Sequence, residues 1–124
     1  TLQVVGELAE DMVLAIPWHI KSNLETEFVQ VSEQLWGGEV NWRTAMAYDA
    51  ASALITAIER TPTRDGVQKA LSDPDFSIPG AYRQINFAPS GDRLKGVELV
   101  TITPSDRNVF DYEFEPILPA AFQE

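Results

Sequence analysis

With 124 residues, the chain is long enough for one small domain that buries roughly two-thirds of the surface exposed by its unfolded form. Its 9 basic and 19 acidic residues give a formal net charge of −10, which argues against binding to nucleic acid or to an anionic membrane surface. The absence of cysteine excludes disulfides, thiol nucleophiles and cysteine-ligated metals.

The first part of the chain predicts one strand. Residues 1–5, closed by Gly6, are interpreted as the last turn of a helix. Residues 12–16 are a continuous apolar run that ends at Pro17, which is typical of a strand buried on both faces of a mostly parallel sheet. The run is far shorter than the ~20 residues that a membrane-spanning helix needs.

Capping residues and apolar stripes at helical spacing predict three helices after that strand. Ser22 or Asn23 caps the first helix, Asn41 caps the second, and residues 61–63 begin the third. The second helix is rich in alanine and has apolar residues on nearly every side, so we expect both of its flanks to be packed. The helices are predicted over residues 24–36, 42–60 and 64–71.

The last part of the chain has the pattern of β structure. Residues 88–92 (Ala-Pro-Ser-Gly-Asp) are typical of a turn. Val97, Leu99 and Thr101 are expected on one face of a strand. The order of elements predicts an α/β start with an antiparallel appendage. The strands are predicted over residues 84–87, 96–103 and 110–114.

Four residues are candidates for contact with a ligand. Trp18 follows the proline that ends the predicted strand, and ligands gather beyond the carboxyl ends of strands in open α/β sheets. Asp49 lies in the middle of the long helix, where it either makes an ion pair or cap to a neighbouring loop or faces a cleft near Trp42. Tyr48, on an adjacent face, is either a core aromatic residue or a ligand contact.

The sequence offers no residues for catalysis or for a metal. His19 is the only histidine, and no cysteine or suitably spaced carboxylate accompanies it, so it cannot anchor a zinc site. As a general base it would need an orienting partner that the sequence does not identify. No phosphate-binding loop or nucleophile elbow occurs. We therefore expect no catalytic residue, no metal and no cofactor, and do not expect an enzyme.

Several segments, in this order, resemble the C-terminal part of type I periplasmic solute-binding proteins, the leucine/isoleucine/valine-binding-protein family of ABC-transporter receptors. They include Glu-Asp-Met-Val-Leu-Ala-Ile-Pro-Trp, Ala-Tyr-Asp-Ala and Ile-Asn-Phe-Ala-Pro-Ser-Gly-Asp-Arg. One departure is Asp11, where the family usually has glycine before the strand. The resembling segments are residues 10–18, 47–50, 85–93 and 97–102.

The resemblance implies an α/β, partial type I periplasmic-binding-protein fold, with one buried strand, three helices and a small antiparallel β set. Residues 1–18 and 84–124 would belong to the second lobe and hinge, and residues 19–83 mainly to helices of the first lobe. The whole receptor would lie in the periplasm and bind an amino acid or a similar small polar ligand by cleft closure. It would then deliver the ligand to a membrane permease. The ligand contacts expected within this chain are Trp18, Trp42, Tyr48 and Asp49.

Two alternatives remain open at this stage. One is a sensory domain of the same fold without a transport role. The other is an independent α/β module that binds another protein through its acidic surface and edge strands. If the chain stands alone, we expect it to self-associate or to repack as a minimal domain.

Overall fold

The computed structural model describes residues 6–94, 96–106 and 111–117. Its elements are mixed α and β, with three helices and small antiparallel sheets, which confirms the predicted fold class. Two 3-10 turns, Gly6–Ala9 and Ile20–Ser22, flank the first strand. The helices are α1 (Glu27–Trp36), α2 (Trp42–Arg60) and α3 (Arg64–Leu71), and the strands are β1 (Val13–Ile16), β2 (Ile78–Pro79), β3 (Gln84–Ile85), β4 (Glu98–Pro104) and β5 (Tyr112–Pro116).

The larger sheet has the order β1-β4-β5 and is antiparallel throughout. Its central strand β4 buries Val100 and Ile102, because side chains alternate between the faces of a strand. Val97 and Leu99, which are predicted on one face, are 76% and 50% exposed, so the predicted alternation is present and the face that carries Val100 and Ile102 is the buried one.

The predicted strand at residues 12–16 exists as β1, but its surroundings correct the prediction. β1 pairs antiparallel with β4, with Leu14 opposite Val100. Of its four residues only Ile16 is buried, and Val13 is 55% exposed. β1 is therefore an edge strand with one covered face, rather than a strand of a parallel sheet buried on both faces. A short apolar run does not distinguish these two cases.

Helix α1 begins three residues later than predicted. Its N-cap is Thr26, whose Oγ1 accepts a hydrogen bond from the Val29 N–H at 3.4 Å. Asn23, one of the expected caps, instead donates from Nδ2 to the His19 carbonyl oxygen at 2.7 Å. Gly37, in the left-handed conformation at φ 64°, ends the helix as predicted.

The long helix α2 packs along one face only. Its N-cap Asn41 and its end at Arg60 are as predicted, and so are the bounds of α3. The expectation that both flanks are packed is not met within the described residues, because large apolar side chains on α2 remain about half exposed. The buried positions are Ala45, Asp49, Ala53 and Ala57, and the half-exposed ones are Tyr48, Leu54, Ile55 and Ile58.

Residues 76–94 pack with the helices. β2 and β3 form a small antiparallel pair, and Ile78, Ile85 and Phe76 are buried together with Ala53 of α2. The predicted turn at residues 88–92 is formed, with Gly91 at φ 88° and a bridge between Phe87 and Arg93 on either side of it. Of the predicted strand at residues 84–87, only the first two residues are strand.

A second core forms where β1 leads into the helices. Its centre is Trp18, which is fully buried and meets Phe28 of α1 edge to face at 5.9 Å between ring centroids. Tyr82 packs on this core, and its hydroxyl donates to the Pro17 carbonyl oxygen at 3.5 Å. The same hydroxyl lies against Gly96, which has φ 119° and no room for a Cβ atom.

Asp11, the departure from the family resemblance, adopts φ 60°. This left-handed conformation favours glycine. The backbone thus has the geometry of a turn that glycine would suit, and aspartate, which tolerates it better than most residues, occupies it. The predicted helix end at residues 1–5 and the start of the third late strand at Phe110 lie outside the described residues.

Candidate functional site

A cavity of about 260 Å³ brings together two of the four candidate ligand contacts, Trp18 and Trp42. It opens where β1 ends and where α2 begins. Arg43 also lines it, with its guanidinium carbon 4.4 Å from the Trp42 ring centroid. Aromatic walls with a few polar groups are typical of small-molecule sites. The lining is Ile16, Trp18, His19, Ile20, Glu39, Val40, Asn41, Trp42, Arg43 and Phe114.

Trp18 contributes an unusual feature to this cavity. Its side chain has no exposed surface, yet its indole Nε1–H lacks a hydrogen-bond partner in the described part of the chain. A buried N–H without an acceptor is unfavourable, and buried indole N–H groups usually have a partner. Trp18 is therefore a core residue that carries an unpaired buried donor.

Asp49 lies elsewhere, and its carboxylate contacts other parts of the chain. Its carboxylate is 3% exposed; Oδ1 accepts from the Ala81 N–H at 2.6 Å, and Oδ2 lies 2.5 Å from Nη1 of Arg93. This arrangement corresponds to the interpretation of Asp49 as an ion pair and loop cap. The side chain ties helix α2 to the loop before β3 and to the segment after the Gly91 turn.

Tyr48 is also separate from the tryptophan cavity. It is 49% exposed, and its ring packs on Phe28 at 4.9 Å between centroids, with the two ring planes tilted by 45°. It borders an open apolar groove of about 670 Å³ between α1, α2 and residues 79–82, to which Val31, Leu35 and Trp36 also contribute. The four candidates thus fall in three places: one cavity, one buried ion pair and one groove.

The junction between β1 and α1 carries a cluster of charges that joins it to the larger sheet. Lys21 pairs with Glu115 and, at 3.4 Å, with Glu113, both on β5. Asn23 Nδ2 donates to Glu98 Oε1 of β4 at 3.2 Å. The hydrogen bond and charge of Glu115 raise the pKa of Lys21 above its ordinary value.

His19 belongs to the same cluster. Its Nδ1 accepts a hydrogen bond from the Lys21 backbone N–H at 3.2 Å and so caps the second 3-10 turn. Partial burial lowers the pKa of His19, and the negative charge of Glu98 opposes this effect. The neutral imidazole is therefore the form that suits the fold.

Sequence reasoning missed Arg93 and Lys21 as partners. Both pairings join residues far apart in the chain, and neither spacing nor periodicity indicates them. No group of three or more histidine, cysteine, aspartate or glutamate side chains that could hold a metal ion occurs among the described residues. Within the same ranges, none of the helices has the length and hydropathy needed to cross a bilayer.

The fold resembles part of a solute-binding protein of the type I periplasmic class. Specifically, the structure is similar to that of LivK, a leucine-binding protein from Thermotoga maritima, with a TM-score of 0.67 and 25% sequence identity. The match covers 92% of this chain and 32% of LivK, so the chain spans about a third of that protein's length. No protein-family model and no curated protein matches the sequence.

Proposed function

We propose that the chain is the C-terminal portion of an extracytoplasmic solute-binding receptor that captures a small polar ligand, such as an amino acid, in a cleft. The observation that carries this proposal is the structural similarity to a leucine-binding protein over 92% of the chain. The similar protein is a binding protein, which favours ligand capture over catalysis. We also propose that the receptor lies in the periplasm. Its partner there would be the membrane permease of an ABC transporter, to which it delivers the ligand.

The described contacts support a division into two lobes, with the boundary moved from the predicted one. In this proposal, strands β1, β4 and β5 belong to one lobe, and the helices with β2 and β3 belong to the other. Residues 84–94 pack with the helices, so we propose that the return to the second lobe lies near Gly96 instead of residue 84. The charge cluster around Lys21 and Glu98 would then lie at the hinge.

The half-exposed apolar face of α2 supports the view that this chain is a portion of a larger fold. A monomeric protein rarely exposes several large aliphatic side chains side by side. Ile55 is 57% exposed, and Leu54 and Ile58 are nearly as open. We propose that the two-thirds of the fold without a counterpart in this chain covers this face.

Within the chain, we propose that the cavity between Trp18 and Trp42 contributes to the ligand site. The guanidinium of Arg43 would supply donors for a ligand carboxylate. Asp49 would act as a structural support, and Tyr48 would contribute to the groove beside it. Capture would require lobe closure about the hinge and no covalent step.

The test is a panel of free amino acids in a thermal unfolding assay, applied to this chain and to a longer protein that extends it upstream. A ligand at 100 times its Kd stabilises a protein by about 2.7 kcal/mol, which raises Tm by several degrees. We expect a shift in the longer protein that Trp42→Ala reduces and that Trp36→Ala, at the far groove, leaves unchanged. If no amino acid raises the Tm of either protein, the proposal of amino-acid binding is wrong.

A second candidate function, an interaction module, is favoured by the open groove beside α1. Its apolar border at Leu35 and Trp36 is 68% and 61% exposed and fits a protein partner or a second copy of the chain. Light scattering discriminates the two functions. If the 13.8 kDa chain forms a stable dimer and Trp36→Ala disrupts that dimer, the result would support the interaction module. If the chain is a monomer, the expected self-association is wrong.

A further inference from the structure

A separate cavity of about 330 Å³ lies beside the β2–β3 pair. Its lining is strongly donor-rich: two arginines and two amide side chains, with no carboxylate. This composition stands out in a chain with a net charge of −10. The lining residues are Arg83, Gln84, Asn86, Arg93 and Leu94.

Both arginines converge on one aromatic ring. The guanidinium carbons of Arg83 and Arg93 lie 5.2 and 5.6 Å from the ring centroid of Tyr82. Asp49 pairs with Arg93, whereas Arg83 has no ion-pair partner among the residues that the structure describes. Two like charges near one ring therefore share one carboxylate, which leaves an excess of positive charge at the cavity.

The donors at this cavity are only partly used. Nη1 of Arg93 pairs with Asp49 and donates to Met46 Sδ at 3.4 Å, while Nε of the same side chain is buried without a hydrogen-bond partner among the described residues. The Oε1 atom of Gln84 accepts from Ser77 at 3.3 Å, which leaves the amide N–H groups of Gln84 to donate. Asn86 uses one N–H on the Phe76 carbonyl oxygen at 3.2 Å and retains the second.

We propose that this cavity binds a small oxyanion, a molecule that presents a carboxylate or phosphate group. Arginine suits such a ligand, because its planar guanidinium donates two parallel hydrogen bonds to two oxygens. Arg93 is fixed by Asp49 and Tyr82, so its contribution needs little ordering. The exposed Arg83 supplies the charge that the chain itself does not neutralise. This site is distinct from the tryptophan cavity and does not depend on the solute-binding proposal.

The experiment is an NMR titration of the 124-residue chain with sodium phosphate and, separately, with sodium acetate, at an ionic strength kept constant with sodium chloride. The side-chain amide signals of Gln84 and Asn86 are the readout. The test variant is Arg83→Gln, at an exposed position whose side chain makes no hydrogen bond or ion pair among the described residues. The matched control is Lys69→Gln, which removes one positive charge from the exposed face of α3.

We expect saturable shifts of both amides with at least one of the two anions, an affinity about tenfold weaker in Arg83→Gln, and no change in Lys69→Gln. A response to phosphate alone or to acetate alone identifies which oxyanion group the cavity accepts. The proposal is overturned if neither anion gives a saturable shift, if Arg83→Gln binds as well as the original chain, or if both variants lose affinity equally.

Discussion

At the scale of single residues, Asp49 has a structural role that its position in the sequence indicates. An unpaired carboxylate in the middle of an alanine-rich helix would be costly, so its position indicates a partner. The structure supplies two, the Ala81 N–H and Arg93. Together they fasten α2 to the segment that leads towards β4.

Replacing Asp49 by Ala is expected to destabilise the chain by about 3–5 kcal/mol, because Arg93 is left partly buried without its counter-charge. Urea unfolding measures the change. Glu59→Ala, at an exposed position on the same helix, should alter stability by no more than about 0.5 kcal/mol. The explanation would be wrong if Asp49→Ala were as mild as Glu59→Ala, or if adding Arg93→Met to it recovered no stability.

Asp11 is the position at which the chain departs from the family that it resembles. The family resemblance leads one to expect glycine, and the observed φ of 60° is the conformation in which glycine is most at ease. The sequence could predict a special turn at this point, since the resemblance identifies the position. It could not reveal whether the aspartate keeps that turn, because its conformation depends on the hydrogen bond from its N–H to Ile102 on a distant strand.

At the scale of elements, the helices could be predicted from residues close together in the chain, whereas the sheet depends on pairing between strands far apart in the chain. Asn41 and Thr63 cap α2 and α3 as expected, because capping depends on residues two or three positions away. The partner of β1 is β4, far along the chain, and no pattern within residues 12–16 could indicate an antiparallel edge position. The ion pairs of Arg93 and Lys21 were unpredictable for the same reason.

The second 3-10 turn has a pH-dependent cap. Because burial lowers the pKa of His19, the neutral imidazole is favoured in the folded chain. Its stabilising contribution is complete above the unfolded pKa of about 6.5 and is lost as the pH falls from there through the folded pKa. Protonation at Nδ1 also removes the acceptor for the Lys21 N–H. The negative charges of Glu98, Glu115 and Glu113 oppose this lowering of the pKa, and the positive charge of Lys21 adds to it.

His19→Asn tests this cap, because asparagine accepts from the N–H two residues ahead without titrating, as Asn41 does from Arg43 at 2.9 Å. We expect the variant to unfold at the same urea concentration as the original chain at pH 7.5, and at a higher concentration than the original at pH 5. Equal pH dependence in the two proteins would show that the carboxylates, rather than His19, govern acid stability.

At the scale of the whole molecule, the apolar face of α2 distinguishes a free-standing domain from a portion of a larger one. The expectation that both flanks of this helix are packed came from its composition alone, and the chain covers only one of them. The alternation of buried Ala45 and Ala53 with half-exposed Leu54 and Ile55 defines the open side. On the proposal that this chain is a portion of a larger fold, the apolar residues on the open side of α2 are the ones that the rest of the fold would cover.

Ile55→Glu is the corresponding prediction. In the 124-residue chain the change should alter the free energy of unfolding by no more than about 0.5 kcal/mol, because the side chain is largely exposed. In a longer protein that covers this face, the same change should cost several kcal/mol, because a carboxylate would be buried without a partner. Gln30→Glu on α1 adds the same charge and should be neutral in both. Equal behaviour of Ile55→Glu in the two proteins would contradict the proposed cover.

Tyr82 gives the molecule one further property. Its hydroxyl touches Pro17 at the exit from β1 and Gly96 at the entry to β4, so both covalent crossings between sheet and helices pass beneath a single phenol. The guanidinium groups of Arg83 and Arg93 lie over the same ring. If the proposed oxyanion binds at these arginines, its effect on the Tyr82 ring would connect that cavity to both crossings of the chain.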